Sequence, residues 1–473
     1  MVLDGESILI NGEKRYSFPL PQMVKVENIE NATYDACQKY SLDYVSTENV
    51  KKWSIEIRKQ YYVGNRRSST DNRNEKIEKP IEEPIALTAE ITREVTLQEV
   101  ADVLSSSIKK DEAAKKITFL GMLLAQTNSS QVNIGFQAES SSGKSYLPIE
   151  LSDYFPASEV SLIASASPTA FFHDRGEWNK ETGILKVNLE GKILVFLDMP
   201  GYQLLEKLRP LLSHDRKVLH YKITDRSQKA GLRTKNVELV GYPCVIFCSA
   251  QLDVDEQERT RMILLSPSVD KEKLQESIRL ASLKNSDPEG YKQLIEDDLD
   301  RKTLMDRIKA IRQSGIKEVK IPDHETLVLE RFLHDHEHLK ARHQRDFPQI
   351  INLIKGHALL NCFNRKRVGN TIEATEVDID AGFKLYAEIQ ESNDLGLSPY
   401  IFTIYSETIK PYLSETIGLD RKQIQKHHYR IFHKSISSDS LGDILAQLEA
   451  ANLIDLQPDP QDKRRSLVFA PEK

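Results

Sequence analysis

The segment QVNIGFQAESSSGKS, residues 131–145, decides the fold of this chain. Its apolar run NIGF predicts a short buried strand, and the polar stretch behind it ends in Gly143, Lys144 and Ser145. This spacing is that of the phosphate-binding loop GxxxxGK(S/T), with Ala138 in place of the first glycine. In such loops glycine lets backbone amides approach phosphate oxygens, the lysine reaches the β and γ phosphates, and the serine hydroxyl binds magnesium.

We therefore expect a nucleotide site here, with ATP and Mg²⁺ as its ligands. The residues after the loop, SYLPIELSDYF, predict a helix that tolerates Pro148 in its first turns. The predicted loop residues are Ala138, Glu139, Ser140, Ser141, Ser142, Gly143, Lys144 and Ser145.

A second apolar strand, KILVFLD, ends in Asp198, which is the expected second magnesium ligand beside Ser145. In most ATPases of this kind a glutamate follows and polarises the attacking water, but this chain has Met199. The water-activating base is therefore unassigned, and Glu206 and Asp215 are the candidates.

Further apolar segments at 160–165 and 244–250 have the length of buried strands, and helical or irregular connections separate them. This alternation predicts an α/β core. The expected divisions are a small N-terminal domain at 1–65, a charged linker at 66–94, the core at 95–269, a mostly helical region at 270–395 and a C-terminal module at 400–473.

Composition limits the remaining possibilities. The chain has 473 residues, of which 39% are hydrophobic and 29% charged, and it has no apolar run long enough to span a bilayer. The first residues lack the pattern of a secretory signal, and the 4 cysteines are too scattered for a disulfide framework, so a cytoplasmic protein with reduced thiols is expected. A net charge of −6 excludes a wholly basic surface, but a local basic element is compatible with it.

Such a local element is predicted after Asp198. The segments VLHYKITD and RTKNVELVG alternate apolar and polar residues around RSQKAGL, which predicts a β-hairpin. Its tip and flanks carry four cations, which suit contact with nucleic-acid phosphates without sequence preference. These are Arg226, Lys229, Arg233 and Lys235.

In the order of phosphate loop, magnesium strand, hairpin and polar strand, the chain resembles the pre-sensor hairpin group of AAA+ ATPases, which includes minichromosome maintenance helicases. The resemblance implies a ring, through whose pore the hairpin follows DNA with Lys229. It also implies that Ser249 positions the attacking water. An arginine finger acting on a neighbouring subunit's ATP is implied at Arg259 or Arg261, of which Arg261 is preferred.

Residues 341–389 resemble the helical lid of minichromosome maintenance-type ATPases. The resemblance implies a second ATP-sensing arginine at Arg342 or Arg345, with Arg345 preferred. Thr375 and the acid three residues later predict a helix cap, and His357 is expected in the lid core.

Residues 418–473 resemble a winged-helix domain, with Leu441, Ile444, Leu445 and Leu448 on one face of its second helix. The turn of its predicted wing carries cations that would rest on DNA phosphates. These are Lys463, Arg464 and Arg465.

The expected protein is thus an α/β P-loop AAA+ ATPase with a helical lid, a small N-terminal domain and a C-terminal winged helix, acting as a hexameric DNA helicase or translocase in replication. A non-helicase AAA+ switch that assembles on DNA is the alternative, and Met199 favours it. Asp198, Pro200 and Gly201 also spell the DxPG element of dynamin-like GTPases, but no (N/T)KxD guanine motif follows in the expected interval.

Overall fold

In the computed structural model the chain forms two compact units, Met1–Glu83 and Pro84–Lys473. Within the first unit only the backbone of three strands is described. The second is described over 84–138, 142–167, 176–179, 181–214, 216–225, 233–249, 259–268, 270–336, 338–340, 342–460, 462 and 465–471.

The three N-terminal strands form an antiparallel meander in which β2 is central. They are β1 (Val2–Asp4), β2 (Ser7–Ile10) and β3 (Glu13–Ser17).

The strands of the second unit belong to one large parallel sheet and three smaller sheets. In chain order they are β4 (Ile134–Gln137), β5 (Val160–Ile163), β6 (Glu177–Asn179), β7 (Ile184–Asn188), β8 (Ile193–Phe196), β9 (Val218–Asp225), β10 (Arg233–Val240), β11 (Cys244–Ser249), β12 (Ile263–Leu265), β13 (Glu318–Lys320), β14 (Arg367–Val368), β15 (Thr371–Glu373), β16 (Asp455–Pro458) and β17 (Ser466–Phe469).

The helices are α1 (Ala89–Thr92), α2 (Leu97–Leu104), α3 (Glu112–Leu124), α4 (Tyr146–Ser152), α5 (Tyr202–Leu212), α6 (Lys271–Ser286), α7 (Pro288–Asp297), α8 (Leu299–Gln313), α9 (Arg331–Asp335), α10 (His343–Leu360), α11 (Glu376–Ala387), α12 (Gln390–Asn393), α13 (Pro399–Ile404), α14 (Arg421–Phe432) and α15 (Ser438–Ala450). A π-helical turn, Glu325–Glu330, precedes α9, and α13 continues through the turns Tyr405–Ile409 and Lys410–Tyr412.

The predicted α/β core is confirmed as a five-stranded parallel sheet in the order β12-β4-β11-β8-β5. Strands β4, β8 and β11 consist of buried residues throughout, which explains why they appear in the sequence as continuous apolar runs. Gly135 allows close packing of β4, because a Cβ there would lie 3.1 Å from the Met262 sulfur and 3.2 Å from Leu264 Cδ2, so these side chains would have to shift slightly.

A second, four-stranded sheet has the order β6-β7-β10-β9. The antiparallel pair β9 and β10 confirms the predicted hairpin arms, from Val218↔Val240 to Asp225↔Arg233. The additional hairpin of β6 and β7 was not predicted, since its first strand, Glu177–Asn179, is exposed and polar. Helix α5 packs its leucines against this sheet in a separate apolar cluster.

The helical region shares its apolar core with the parallel sheet. Helix α10 lies against α3 so closely that a Cβ on Gly356 would stand 3.1 Å from the Leu120 Cβ. The region also contains a small sheet of β13, β15 and β14 that the sequence did not predict. Through α10, the helical region and the parallel sheet thus form one folded body.

The second unit begins at Pro84, inside the predicted linker. Ile91 is buried, and the fully buried Arg307 donates from Nη1 to the carbonyls of Ile91 and Arg93, both over 2.8 Å. Its other nitrogens donate to the Leu360 carbonyl over 3.0 and 2.9 Å. Burial lowers the pKa of Arg307 to about 10, so the side chain stays charged at neutral pH. The highly charged composition of this stretch predicts a linker, although Ile91 within it is buried.

Asp378 organises the turn between β15 and α11. As predicted, Thr375 and Asp378 form a reciprocal cap at the start of α11. The Arg365 Nε and Nη2 each donate to this carboxylate over 2.7 Å, and His357 Nδ1 lies 2.6 Å from Oδ1. Burial would raise the pKa of Asp378, but the hydrogen bonds from His357, Arg365 and the Thr375 N–H outweigh it and hold this pKa at about 2. His357 is buried, as expected for a lid-core residue.

The C-terminal elements have their own apolar core. The predicted helix, turn, helix and β-ribbon are present as α14, α15, β16 and β17, and Leu419 adds one bridge to Val468. The four predicted leucine and isoleucine side chains of α15 are all buried, which confirms that face of the helix. None of the helices in the described ranges has the length and apolar character that a membrane crossing requires.

We expect the Asp378→Asn variant to lose about 3 kcal/mol of unfolding free energy at pH 7, because the buried Arg365 would lose its buried anion and keep only its pair with the half-exposed Glu94. The folded-state pKa lies below the unfolded one, so the stabilisation by Asp378, about 2 kcal/mol, is present above roughly pH 4 and is lost as the pH falls toward 2. Urea unfolding across pH measures both effects.

The matched control is Asp380→Asn on the same helix, because the Asp380 side chain is 73% exposed and its pair with Arg331 lies at the surface. This control should unfold like the parent chain. Equal stability of the two variants would contradict the structural role of the buried carboxylate.

Candidate nucleotide site

The loop between β4 and α4 begins and ends as the sequence predicts. The Ala138 N–H donates to the Ser249 carbonyl over 3.4 Å, which extends the β4–β11 pairing to the start of the loop. Gly143 has a φ of +90°, in the left-handed region that favours glycine, and its Cβ position faces open space. Ser145 leads directly into α4, which is shorter than the predicted helix. Glu139, Ser140 and Ser141 lie outside the described residues.

The parallel sheet brings together the ends of the three strands β4, β11 and β8, which carry the predicted loop, Ser249 and Asp198. Strand β11 lies between β4 and β8, and the register pairs Ser249 with Gln137 and Phe247 with Phe196. Because parallel strands end at the same edge, the phosphate loop, Ser249 and Asp198 all lie at the carboxyl edge of the sheet. Ser249 is buried at this edge, whereas Asp198 is exposed.

Cys248 lies between the two charged candidates of this edge. Its thiol contacts the Lys144 carbonyl, with Sγ and O separated by 3.6 Å. Burial raises the pKa of Cys248 to about 12, the charge of Lys144 opposes the rise, and the charge of Asp198 adds to it. Both charges therefore act on one buried thiol, which stays protonated at neutral pH.

Met199 is a packing residue. Its side chain is partly buried against the cluster that joins α5 to the sheets, while its N–H donates to Asp198 Oδ1 over 2.8 Å.

Of the two candidate bases, Glu206 is exposed on α5, on the side away from the buried Leu204 and Leu208. Asp215 lies outside the described residues. The geometry assigns the water-activating role to neither of them.

Arg261 lies at the opposite edge of the sheet. Strand β12 starts at Ile263, which pairs with Ile134 at the start of β4, and the four residues of β4 separate this point from the phosphate loop by roughly 13 Å. The Arg261 Nε donates to Ser213 Oγ over 2.8 Å, and its carbonyl accepts from Asn133 Nδ2 over 3.3 Å. The structure thus does not bring Arg261 to the loop of its own chain.

Arg345 lies beside Arg261. It is exposed in the first turn of α10, and its Nη1 donates to Thr260 Oγ1. The alternative arginines make internal contacts: Arg342 Nε lies 3.2 Å from Oδ2 of the buried Asp346, and Arg259 reaches the C-terminal module. Arg345 therefore contacts the residue that directly precedes Arg261, so the two preferred arginines lie in the same region of the second unit.

The described part of the hairpin includes one of its predicted cations, Lys235. Its ammonium lies 5.9 Å from the ring centre of Trp178 on the neighbouring β-hairpin, and this ring is 51% exposed. The backbone of Arg233 begins β10 and its side chain is not described, while Arg226 and Lys229 lie outside the described residues. Trp178 was missed because a single aromatic residue in a polar stretch gives no periodic signal.

At the C-terminal ribbon, Arg465 is exposed and pairs with Asp462 over 3.4 Å. Lys463 and Arg464 lie outside the described residues. The structure thus describes one of the three predicted wing cations, and its side chain is exposed.

The chain matches no protein-family model, and no curated protein is significantly similar to it. The assignment of a function therefore rests on the geometry of the site.

Proposed function

We propose that this chain is an ATP hydrolase that moves along DNA as a ring, in the manner of minichromosome maintenance-like AAA+ helicases or translocases. The observation that carries the proposal is the common edge of β4, β11 and β8, where a phosphate loop, a polar strand end and an acidic strand end meet. Ligands of open α/β sheets bind at such carboxyl edges.

In this proposal Lys144 binds the β and γ phosphates, and Ser145 and Asp198 hold Mg²⁺. Ser249 orients the attacking water from the neighbouring strand. The methionine after Asp198 supplies no carboxylate, so the proton of the attacking water is accepted by another group.

The positions of Arg261 and Arg345 support a ring. An arginine side chain reaches about 7 Å from its Cα, which is less than the roughly 13 Å of strand between Arg261 and its own phosphate loop. Two cations on one edge and a phosphate loop on the other suit head-to-tail assembly, in which each ATP is bound by one subunit and completed by the next.

The hairpin supports movement along DNA. Its arms form an eight-residue ribbon whose three residue pairs nearest the turn extend past the start of β7, and the exposed Trp178 lies near Lys235 at that end. Cations bind phosphates and aromatic rings stack on bases without demanding sequence, which suits a single strand. The helices and ribbon of the C-terminal module, as a winged helix, add a second DNA contact through Arg465 and its neighbours.

The shared ATP site is tested by mixing two inactive variants. We expect Lys144→Ala and Arg261→Ala each to lower the ATPase rate at least 100-fold, because one loses the phosphate ligand and the other loses transition-state charge stabilisation. In randomly mixed rings about one quarter of the interfaces carry both intact residues, so mixing restores up to about a quarter of the parent rate.

Differently tagged subunits that co-purify establish that mixed rings have formed. Arg279→Ala is the matched control, since this exposed arginine lies on lid helix α6, away from the last strand of the core. Mixed rings without recovered activity, or a fully active Arg261→Ala variant, would refute the shared site.

The hairpin is tested by Lys229→Ala. We expect this variant to lose strand displacement on a forked duplex while it keeps most of its basal ATPase, because the tip contacts DNA and not the nucleotide. Lys292→Ala removes the same charge from a lid side chain that is 74% exposed, and it should unwind like the parent. A Lys229→Ala variant that unwinds normally would contradict the proposal.

The packing of Met199 favours a second candidate, an AAA+ switch that hydrolyses ATP slowly and assembles on DNA without moving. The strand-displacement assay separates the two functions: a parent chain that binds DNA in an ATP-dependent manner but displaces no strand is the switch. Preferential binding of GTP over ATP would instead favour a GTPase.

A further inference from the structure

A histidine-rich tract precedes helix α10. Four of the 12 histidines of the chain lie within residues 334–343, at His334, His336, His338 and His343. Short tracts of this kind are typical of metal binding.

Two of these histidines meet an aspartate from a distant part of the chain. One ligand atom from each of His336, His343 and Asp394 lies within 4.8 Å of the others, and His336 Nε2 lies 3.9 Å from Asp394 Oδ2. Ligand atoms around a tetrahedral zinc ion, with bonds of about 2.0–2.1 Å, are about 3.4 Å apart. The ligand atoms therefore need to approach one another by at most about 1.4 Å to surround an ion.

From this geometry we infer that His336, His343 and Asp394 bind a divalent transition metal of the zinc class at the junction of the lid and the C-terminal module. The residue before Asp394, Asn393, is hydrogen-bonded to the backbone of Leu264 in β12, and the metal site does not depend on the proposed function.

The surroundings of His336 orient it as a ligand. Its Nδ1 lies 2.8 Å from the Phe332 carbonyl, so Nδ1 carries the proton and Nε2 presents its lone pair to the cluster. The Gln390 amide nitrogen lies 2.9 Å from this Nε2 and 3.3 Å from Asp394 Oδ2. The amide thus donates to the same two atoms that a cation would hold, and a flip of the amide would offer its oxygen as a further ligand.

His343 is free to ligate at small cost. Its Nδ1 accepts the Lys340 N–H over 3.3 Å, which is a long hydrogen bond. Coordination by either ring nitrogen replaces this contact with a metal bond. The His343 ring lies 4.6 Å from the His336 ring, centre to centre, with the planes inclined by 67°.

A buried carboxylate next to the cluster adds negative charge. Asp346 is 1% exposed, and neither of its oxygens accepts a hydrogen bond from any residue in the described ranges, although Arg342 Nε lies 3.2 Å away. Asp346 lies three residues after His343 on α10, so the two side chains lie on the same side of the helix. Arg342 already offsets part of the buried negative charge of Asp346, and a dication bound next to it would offset more of that charge.

A bound ion would connect the start of α10 to the segment that leads into the C-terminal module. His343 begins α10, which carries Arg345, while Asp394 lies two residues before Gly396, whose carbonyl accepts from Arg259 over 3.3 Å. The ion would therefore fix the start of the lid helix relative to the entry into the C-terminal module.

The test uses the full chain without a polyhistidine tag, stripped with a chelator and titrated with Co²⁺ and then Zn²⁺. We expect one Co²⁺ per chain with the visible absorption of tetrahedral coordination, displacement by Zn²⁺, and a higher Tm with Zn²⁺. His336→Gln and Asp394→Asn should each weaken Co²⁺ binding at least 100-fold, with an unchanged far-ultraviolet circular dichroism spectrum as the check of folding.

His334→Ala is the matched control, because this side chain belongs to the same tract but is 90% exposed. It should bind Co²⁺ like the parent. The inference is overturned if the parent chain takes up no Co²⁺, if the two ligand variants bind it as tightly as the parent, or if only the His334 variant loses it. None of these measurements involves ATP, so their outcome is independent of the ATPase tests.

Discussion

Strand β11 is hydrogen-bonded on both sides, to β4 and to β8, and the candidate site depends on this double pairing. All six of its residues are buried, so a shift of one residue would turn every side chain to the other face of the sheet. The Phe196 and Phe247 rings, stacked with centres 5.0 Å apart, fix the register on one face. With the register fixed, the ends of three strands, and the chemistry that follows each of them, must lie at one edge.

The sequence predicted the elements whose signals are local. A loop such as that around Gly143 depends on spacing within eight residues, and each arm of the β9–β10 hairpin alternates over its own eight residues. The polar strand β6 gave no such signal. The anchored segment around Ile91 was also missed, because its charges dominate the composition, while the hydrogen bonds that anchor it come from Arg307, far along the chain.

Contacts between distant residues were beyond prediction from one sequence. Asp394 meets His336 and His343 only because α10, α11 and α12 fold back on one another. Likewise, nothing in the sequence places Arg345 next to Thr260, since 85 positions separate them. The identity of each charged candidate could be predicted from its motif, but its neighbours depend on tertiary packing, and those neighbours decide which cations serve the structure and which stay at the surface.

Arg307 gives the second unit a mechanical property. Its guanidinium holds the carbonyls of Ile91 and Arg93 on one side and that of Leu360 on the other. A pull on the chain at Glu83 would reach this clamp within about ten residues, before it reached any strand of the parallel sheet. Tension from the N-terminal unit would therefore be borne by the end of α10, and the strands that form the candidate site would be shielded from it.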